Sequence, residues 1–285
     1  MKKFLLLAVA ALAFLPARAG KIVTDSLYSK VLGTQMKYNV YLPDGFEKGK
    51  TRYPVVYLLH GLSDDYTAWR DKGQMQIVTD ELMRSGEVRP MVIVMPGAGC
   101  ADVHNSFNGY FNQPGWSYED YFFKELLPAA EKKYRCGGAK GKRAVMGLSM
   151  GGGGSTVYCQ RHPDMFSSCF AMSPWLDQEE PGGDMPKDKL YMVSKAVHDH
   201  SANKFVENAD EQTVAALKTV KWFFDCGDDD FLLDLSMDIY QKMRNKGIPA
   251  ELRIRDGWHC WEYWHQALRT ALQFATWNFG DPENR

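Results

Sequence analysis

Gly147-Leu148-Ser149-Met150-Gly151 sets a single serine between two glycines, at a point where an apolar segment gives way to a helix-forming one. Residues 142–146 read as a short buried strand, and residues 152–160 can open a helix. A strand-to-helix turn this sharp leaves no space for side chains on the flanking positions, and it projects the serine hydroxyl above the sheet. In that setting Gly-x-Ser-x-Gly is a nucleophile elbow. Chance matches to so short a pattern are common, so the surrounding sequence has to carry the argument.

The surroundings alternate apolar runs with helix-period segments. Alternation over residues 35–42 predicts an antiparallel strand in a segment opening at residue 30, turned by Pro43-Asp44-Gly45. Residues 54–59 and 91–95 are continuous apolar runs, as strands covered on both faces require. Residues 167–172, 220–225 and 250–255 complete the core strands, and helices are expected over 66–85, 118–134 and 261–277. This rhythm predicts an α/β fold with a mostly parallel, doubly wound sheet. Residues 175–219 break it: they are long, polar and charged, with a helical stretch near 190–197. They read as an insertion after the sixth strand, over one end of the sheet.

The chain has 285 residues, 45% hydrophobic, enough for one large core. A net charge of -1 offers no basic surplus for nucleic acid. Lys2 and Lys3, the apolar run 4–15 and Ala17-Arg18-Ala19 together read as a secretory signal peptide over residues 1–19. The run is too short for a membrane anchor, and no cysteine follows it to take a lipid. Residues 20–285 are then expected to form a single catalytic domain without a membrane span, exported to a periplasm or beyond. Export makes disulfides permissible for Cys100, Cys136, Cys159, Cys169, Cys226 and Cys260, although the pairing is not readable. The expectation is that most are small core hydrophobes, since Cys159, Cys169 and Cys226 lie in apolar patterns. No spacing resembles a zinc site, and no metal is expected.

In parallel sheets, reactive groups gather in the loops after the strands' carboxyl ends. Those ends carry His60-Gly61-Leu62, Ser149, Cys226-Gly227-Asp228-Asp229-Asp230 and Asp256-Gly257-Trp258-His259. Serine, acid and histidine follow one another in the chain order of a hydrolase of this architecture. Ser149 is a weak nucleophile until a base takes its proton, and His259 is the residue type that can do so near neutrality. Asp230 is the expected acid that orients the imidazole. The backbone amides of Leu62 and Met150 are the expected oxyanion donors. Asp228, Asp229 and Asp234 compete with Asp230, and His265 competes with His259 from within the closing helix. His60 is expected to orient its loop. His198 and His200 point in different directions on a helix and are expected at the surface. Gly151-Gly152-Gly153-Gly154 lacks the Gly-Lys-Ser/Thr of a phosphate loop and is read as close helix packing.

Tyr57-Leu58-Leu59-His60-Gly61, Tyr118-Glu119-Asp120 with Glu125-Leu126-Leu127-Pro128, the serine pentapeptide, and Cys226-Gly227 with Asp230 and Leu232 carry a family likeness. Together they resemble the esterase family that groups feruloyl and acetylxylan esterases (carbohydrate esterase family one), S-formylglutathione hydrolases, siderophore esterases and mycolyltransferases. The likeness runs from about Met36 to Phe279. It implies an α/β-hydrolase fold, no cofactor, and a triad of Ser149, Asp230 and His259. Segment 175–219 matches no member. Export disfavours a cytosolic S-formylglutathione substrate. The expected substrate is an acylated carbohydrate or phenolic ester, with Trp116, Trp175, Trp258 and Trp261, and also Trp264, Tyr110 and Phe111, near the site and able to stack on it. A secreted serine esterase removing feruloyl or acetyl groups from plant polysaccharide is therefore expected. A siderophore esterase, an acyltransferase and a non-catalytic carbohydrate-binding relative are the alternatives.

Overall fold

The computed structural model describes residues 19–182 and 185–280, so the expected signal peptide lies outside the described residues apart from Ala19. Eight strands form the central sheet: β1 (Lys21–Ser29), β2 (Thr34–Leu42), β3 (Val55–Leu59), β4 (Val92–Pro96), β5 (Arg143–Leu148), β6 (Ser168–Met172), β7 (Lys221–Gly227) and β8 (Ala250–Arg255). Their spatial order is β1-β2-β4-β3-β5-β6-β7-β8. The six strands from β4 to β8 are mutually parallel. The β1-β2 hairpin joins β4 in antiparallel register. Every residue of β3, β4 and β6 is buried, which explains why they are apolar apart from Ser168.

Helices cover both faces of the sheet. On one side, Met150–Arg161, Leu233–Asn245 and the run 118–133 enclose a core that includes Tyr57, Tyr121, Phe122, Tyr158 and Phe166. On the other, Met75–Ser85 and Trp261–Asn278 pack over Val56, Leu58, Trp69, Leu268 and Leu272. This is the α/β-hydrolase arrangement. Among the described residues, no helix is long and apolar enough to cross a membrane.

Four local readings change. The strand expected within 30–42 is β2, and β1, over Lys21–Ser29, is an additional strand that the sequence reading did not include; at the sheet edge its exposed positions alternate with partly buried ones, which blurs the apolar signal. The helix expected over 66–85 is two helices, Ala68–Asp71 and Met75–Ser85, broken at Gly73 and Gln74. A Cβ on Gly73 would come 2.7 Å from the Trp69 ring and 2.9 Å from that of Trp261. The run 118–133 stays helical but widens into a π turn over Phe122–Leu126, just before Pro128, which has no N–H to donate. Among its described residues, segment 175–219 holds three helices, Lys189–Asp199, Ala202–Glu207 and Glu211–Leu217. Asp188, Ser201 and Asp210 cap them by accepting the amides of Tyr191, Lys204 and Thr213. The segment is more than a surface insertion, because Val193, Val197, Ala202 and Val206 enter the main core.

All six cysteines are free, and Cys136, Cys159, Cys169 and Cys226 are buried. Burial pushes the Cys136 and Cys226 thiols up to about 12, which keeps both neutral.

Candidate active site

Ser149 stands at the mouth of the sheet between β5 and helix Met150–Arg161, with φ 51° and ψ −119°. A non-glycine residue adopts such a backbone only when its surroundings enforce it. Its amide donates to the Met172 carbonyl at 2.9 Å, and its carbonyl accepts from Gly153 at 3.0 Å and Trp175 at 2.9 Å. The flanking glycines make room for this. A Cβ on Gly147 would lie 2.6 Å from the Gly151 backbone and 2.8 Å from the Leu59 Cβ. A Cβ on Gly151 would lie 2.6 Å from the carbonyl oxygens of Leu59 and His60. Backbone on both sides cannot yield as a flexible side chain would. Gly151→Val is expected to cost about 3 kcal/mol in equilibrium denaturation. A loss smaller than about 0.5 kcal/mol would contradict the close packing at the elbow.

Three strand-end loops converge on this serine. His259 Nε2 lies 3.0 Å from Ser149 Oγ, and Nδ1 lies 3.0 and 2.9 Å from the two carboxylate oxygens of Asp230. The network assigns the proton to Nδ1, leaving the Nε2 lone pair facing the hydroxyl. The Asp230 side chain is fully buried. Burial alone would raise its pKa. Hydrogen bonds from His259, from the Leu232 amide at 2.9 Å and from the Ser173 hydroxyl outweigh that and hold it below the ordinary carboxylate value. Ser173 in turn accepts from Trp264 Nε1 at 3.0 Å. The imidazole sits edge-to-face with Trp264, at 4.8 Å between centroids, and against Phe231 at 4.6 Å.

The competing residues point elsewhere. Asp228 accepts the Gly257 amide at 3.0 Å. Asp228, Asp229 and the nearby Asp256 form an exposed carboxylate group on the same rim, while Asp234 is exposed at the start of helix Leu233–Asn245. His265 pairs with the Gly73 carbonyl, His198 with that of Gln178 and His200 with that of Ala196, each at 2.8 Å.

His60 is buried and holds the loop beside the serine. Its Nε2 accepts the Ala98 amide at 2.9 Å, and its Nδ1–H donates to the Gly61 carbonyl at 2.8 Å. The Tyr110 hydroxyl bonds both the amide and the carbonyl of His60. Burial lowers the His60 pKa, and protonation would also abolish the acceptor that Ala98 uses. A depressed histidine gives stability that is complete above its unfolded value near 6.5 and is lost as pH falls from there through the folded value. The unfolding midpoint should therefore drop between about pH 7 and pH 5, and His60→Gln should show a shallower drop. Equal slopes in the two proteins would contradict this.

A cleft of about 580 Å³ opens beside Ser149, walled by Leu62, Trp175, Phe231, Leu232 and Leu235, with the polar segment 177–179 and Asp234. Of the five tryptophans expected at the substrate, only Trp175 lines it. Trp116 stacks on Phe107 at 5.2 Å and borders a separate cavity, because the hairpin Asn112–Gln113/Trp116–Ser117 turns it away. Trp261 packs edge-on against Trp69 and Trp264 in the helix layer. Trp258 is 66% exposed and outside the cleft wall. Tyr110 and Phe111 are core residues, and Trp264 backs His259. Phe231, 76% exposed and adjacent to Asp230, is the aromatic lining residue that sequence reading missed. Its position directly after the acid was the available signal.

The family model for Esterase matches residues 29–275. An endo-1,4-beta-xylanase/feruloyl esterase of Xylanibacter ruminicola is 28% identical over 262 residues, covering 90% of this chain; the chain spans only 30% of that protein's length. An acetyl esterase of Caldicellulosiruptor saccharolyticus is 22% identical over 275 residues, which is 90% of this chain and 98% of that one. Among solved structures, a ferulic acid esterase superposes with a TM-score of 0.89 at 49% identity, covering 92% of this chain and 100% of its own. A CE1 ferulic acid esterase from Anaeromyces mucronatus, in complex with ferulic acid, shares the fold with a TM-score of 0.70 at 21% identity, covering 91% and 93%. With the match extending over most of its length and the same sheet beneath, the chain belongs to the Esterase family of α/β-hydrolases.

Proposed function

We propose that this protein is an exported serine carboxylic-ester hydrolase that removes feruloyl or acetyl groups from plant polysaccharide. The observation that carries this reading is the continuous relay from Ser149 Oγ through His259 to Asp230, with every link at 2.9 to 3.0 Å. Ser149 Oγ attacks the ester carbonyl carbon as its proton passes to His259 Nε2. The carbonyl oxygen becomes an oxyanion, held by the amides of Leu62 and Met150, the latter at the positive end of its helix. Collapse expels the alcohol, which takes the proton from His259 and leaves an acyl group on Ser149. Water then gives a proton to His259, attacks the acyl carbon, and releases the acid and the free serine.

The apolar walls of the cleft, with Trp175 and Phe231, suit a phenolic acyl group or a sugar face. The feruloyl esterase relatives support the same substrate class. Lys2, Lys3 and the apolar run after them support export. The purified protein should release acid from methyl ferulate or acetylated xylan, and from nitrophenyl acetate, faster than it cleaves a ferric siderophore. Cleavage of the siderophore alone, or of none of them, would overturn the proposal.

A further inference from the structure

Ester hydrolysis by serine does not require a negatively charged cleft, yet this one is acidic. Asp177, Glu179 and Asp234 line it, and among the described residues of its wall there is no lysine or arginine. Lys204, from outside the wall, reaches Asp177 at 3.6 Å and offsets part of its charge. Glu179 has no such partner in the lining, and it is exposed. Asp234 sits in the first turn of helix Leu233–Asn245, where its charge offsets the positive field of that helix end. Trp175, Phe231 and Leu62 surround these charges with apolar surface, which focuses their field into the cleft.

We propose that this wall acts as a charge filter. The site takes esters whose acyl group and alcohol are both uncharged near the scissile bond, and it discriminates against those bearing a carboxylate or other anion there. Uronic acid esters and polyanionic ferric catecholates fall on the disfavoured side, while neutral sugars carrying aromatic or acetyl groups are admitted. The inference rests on the hydrolase reading of Ser149, and it assigns Glu179 and Asp234 to substrate choice.

The test compares 4-nitrophenyl valerate with the 4-nitrophenyl monoester of glutaric acid, in which a carboxylate replaces the terminal methyl. The readout is the ratio of kcat/KM for the two, in wild type and in the Glu179→Gln, Asp234→Asn double variant. It is measured at about 20 mM and about 500 mM sodium chloride, where charges this close are weakly and strongly screened. Wild type at low salt should favour the neutral ester about tenfold. Salt and the double substitution should each shrink that ratio about threefold. Apolar preference alone would leave the ratio unmoved by either change. A wild type that hydrolyses the valerate ester with a ratio indifferent to both overturns the charge filter and leaves the hydrolase reading standing. Failure to hydrolyse either ester overturns the hydrolase reading and this inference with it.

Discussion

Ser149→Ala should leave a folded protein whose ester hydrolysis is reduced about a millionfold, or to the assay floor. The size of that loss follows from the arrangement around the hydroxyl. Among the described residues, His259 Nε2 hydrogen-bonds only Ser149 Oγ, 3.0 Å away, so removing one oxygen atom removes the nucleophile and leaves the base with no proton to take in the attack step. Alanine preserves the backbone bonds from Ser149 to Met172, Gly153 and Trp175, and it tolerates φ 51° about as well as serine does. The unfolding free energy should accordingly stay within about 1 kcal/mol of wild type. Retained turnover in a folded variant would exclude the elbow serine as nucleophile.

Asp230→Asn should lower kcat about ten-thousandfold with little change in KM. Asparagine fills the same volume but presents an amide in place of one carboxylate oxygen. It therefore favours the imidazole tautomer with its proton on Nε2, facing Ser149, where it cannot accept the hydroxyl proton. The imidazolium formed during attack would also lose its buried counter-charge. KM is expected to hold because the mutation leaves the walls of the cleft intact. A loss smaller than about tenfold would show that another acid, such as Asp234 in the cleft wall, stabilises the imidazolium.

Much of this was legible because each residue obeys a strong local constraint. The elbow needs glycines where β5 meets the helix, and any Cβ there would strike backbone. Strands buried on both faces need apolar runs, which marked β3 and β4. The acid and the histidine sit at strand ends, where the topology forces them toward the serine. The substrate cleft was read less well. Trp116 and Trp261 look alike in sequence to Trp175, since nothing in local patterning tells an aromatic that stacks in a helix layer from one that borders a cleft. Segment 175–219 was read as an insertion over one end of the sheet because it is long, polar and charged. The apolar positions of its helices meet the core only through tertiary packing, which no single window reveals. The break at Gly73 was also hidden, because one of the two rings crowding that position, Trp261, is distant along the chain.

Brief exposure to a fluorophosphonate, which phosphonylates only an activated serine, followed by intact mass and peptide mapping, tests the relay most directly. A single adduct on Ser149 is expected, formed rapidly in wild type and absent in His259→Ala as well as in Ser149→Ala. Labelling of another residue, or labelling of Ser149 that proceeds equally fast without His259, would contradict the relay.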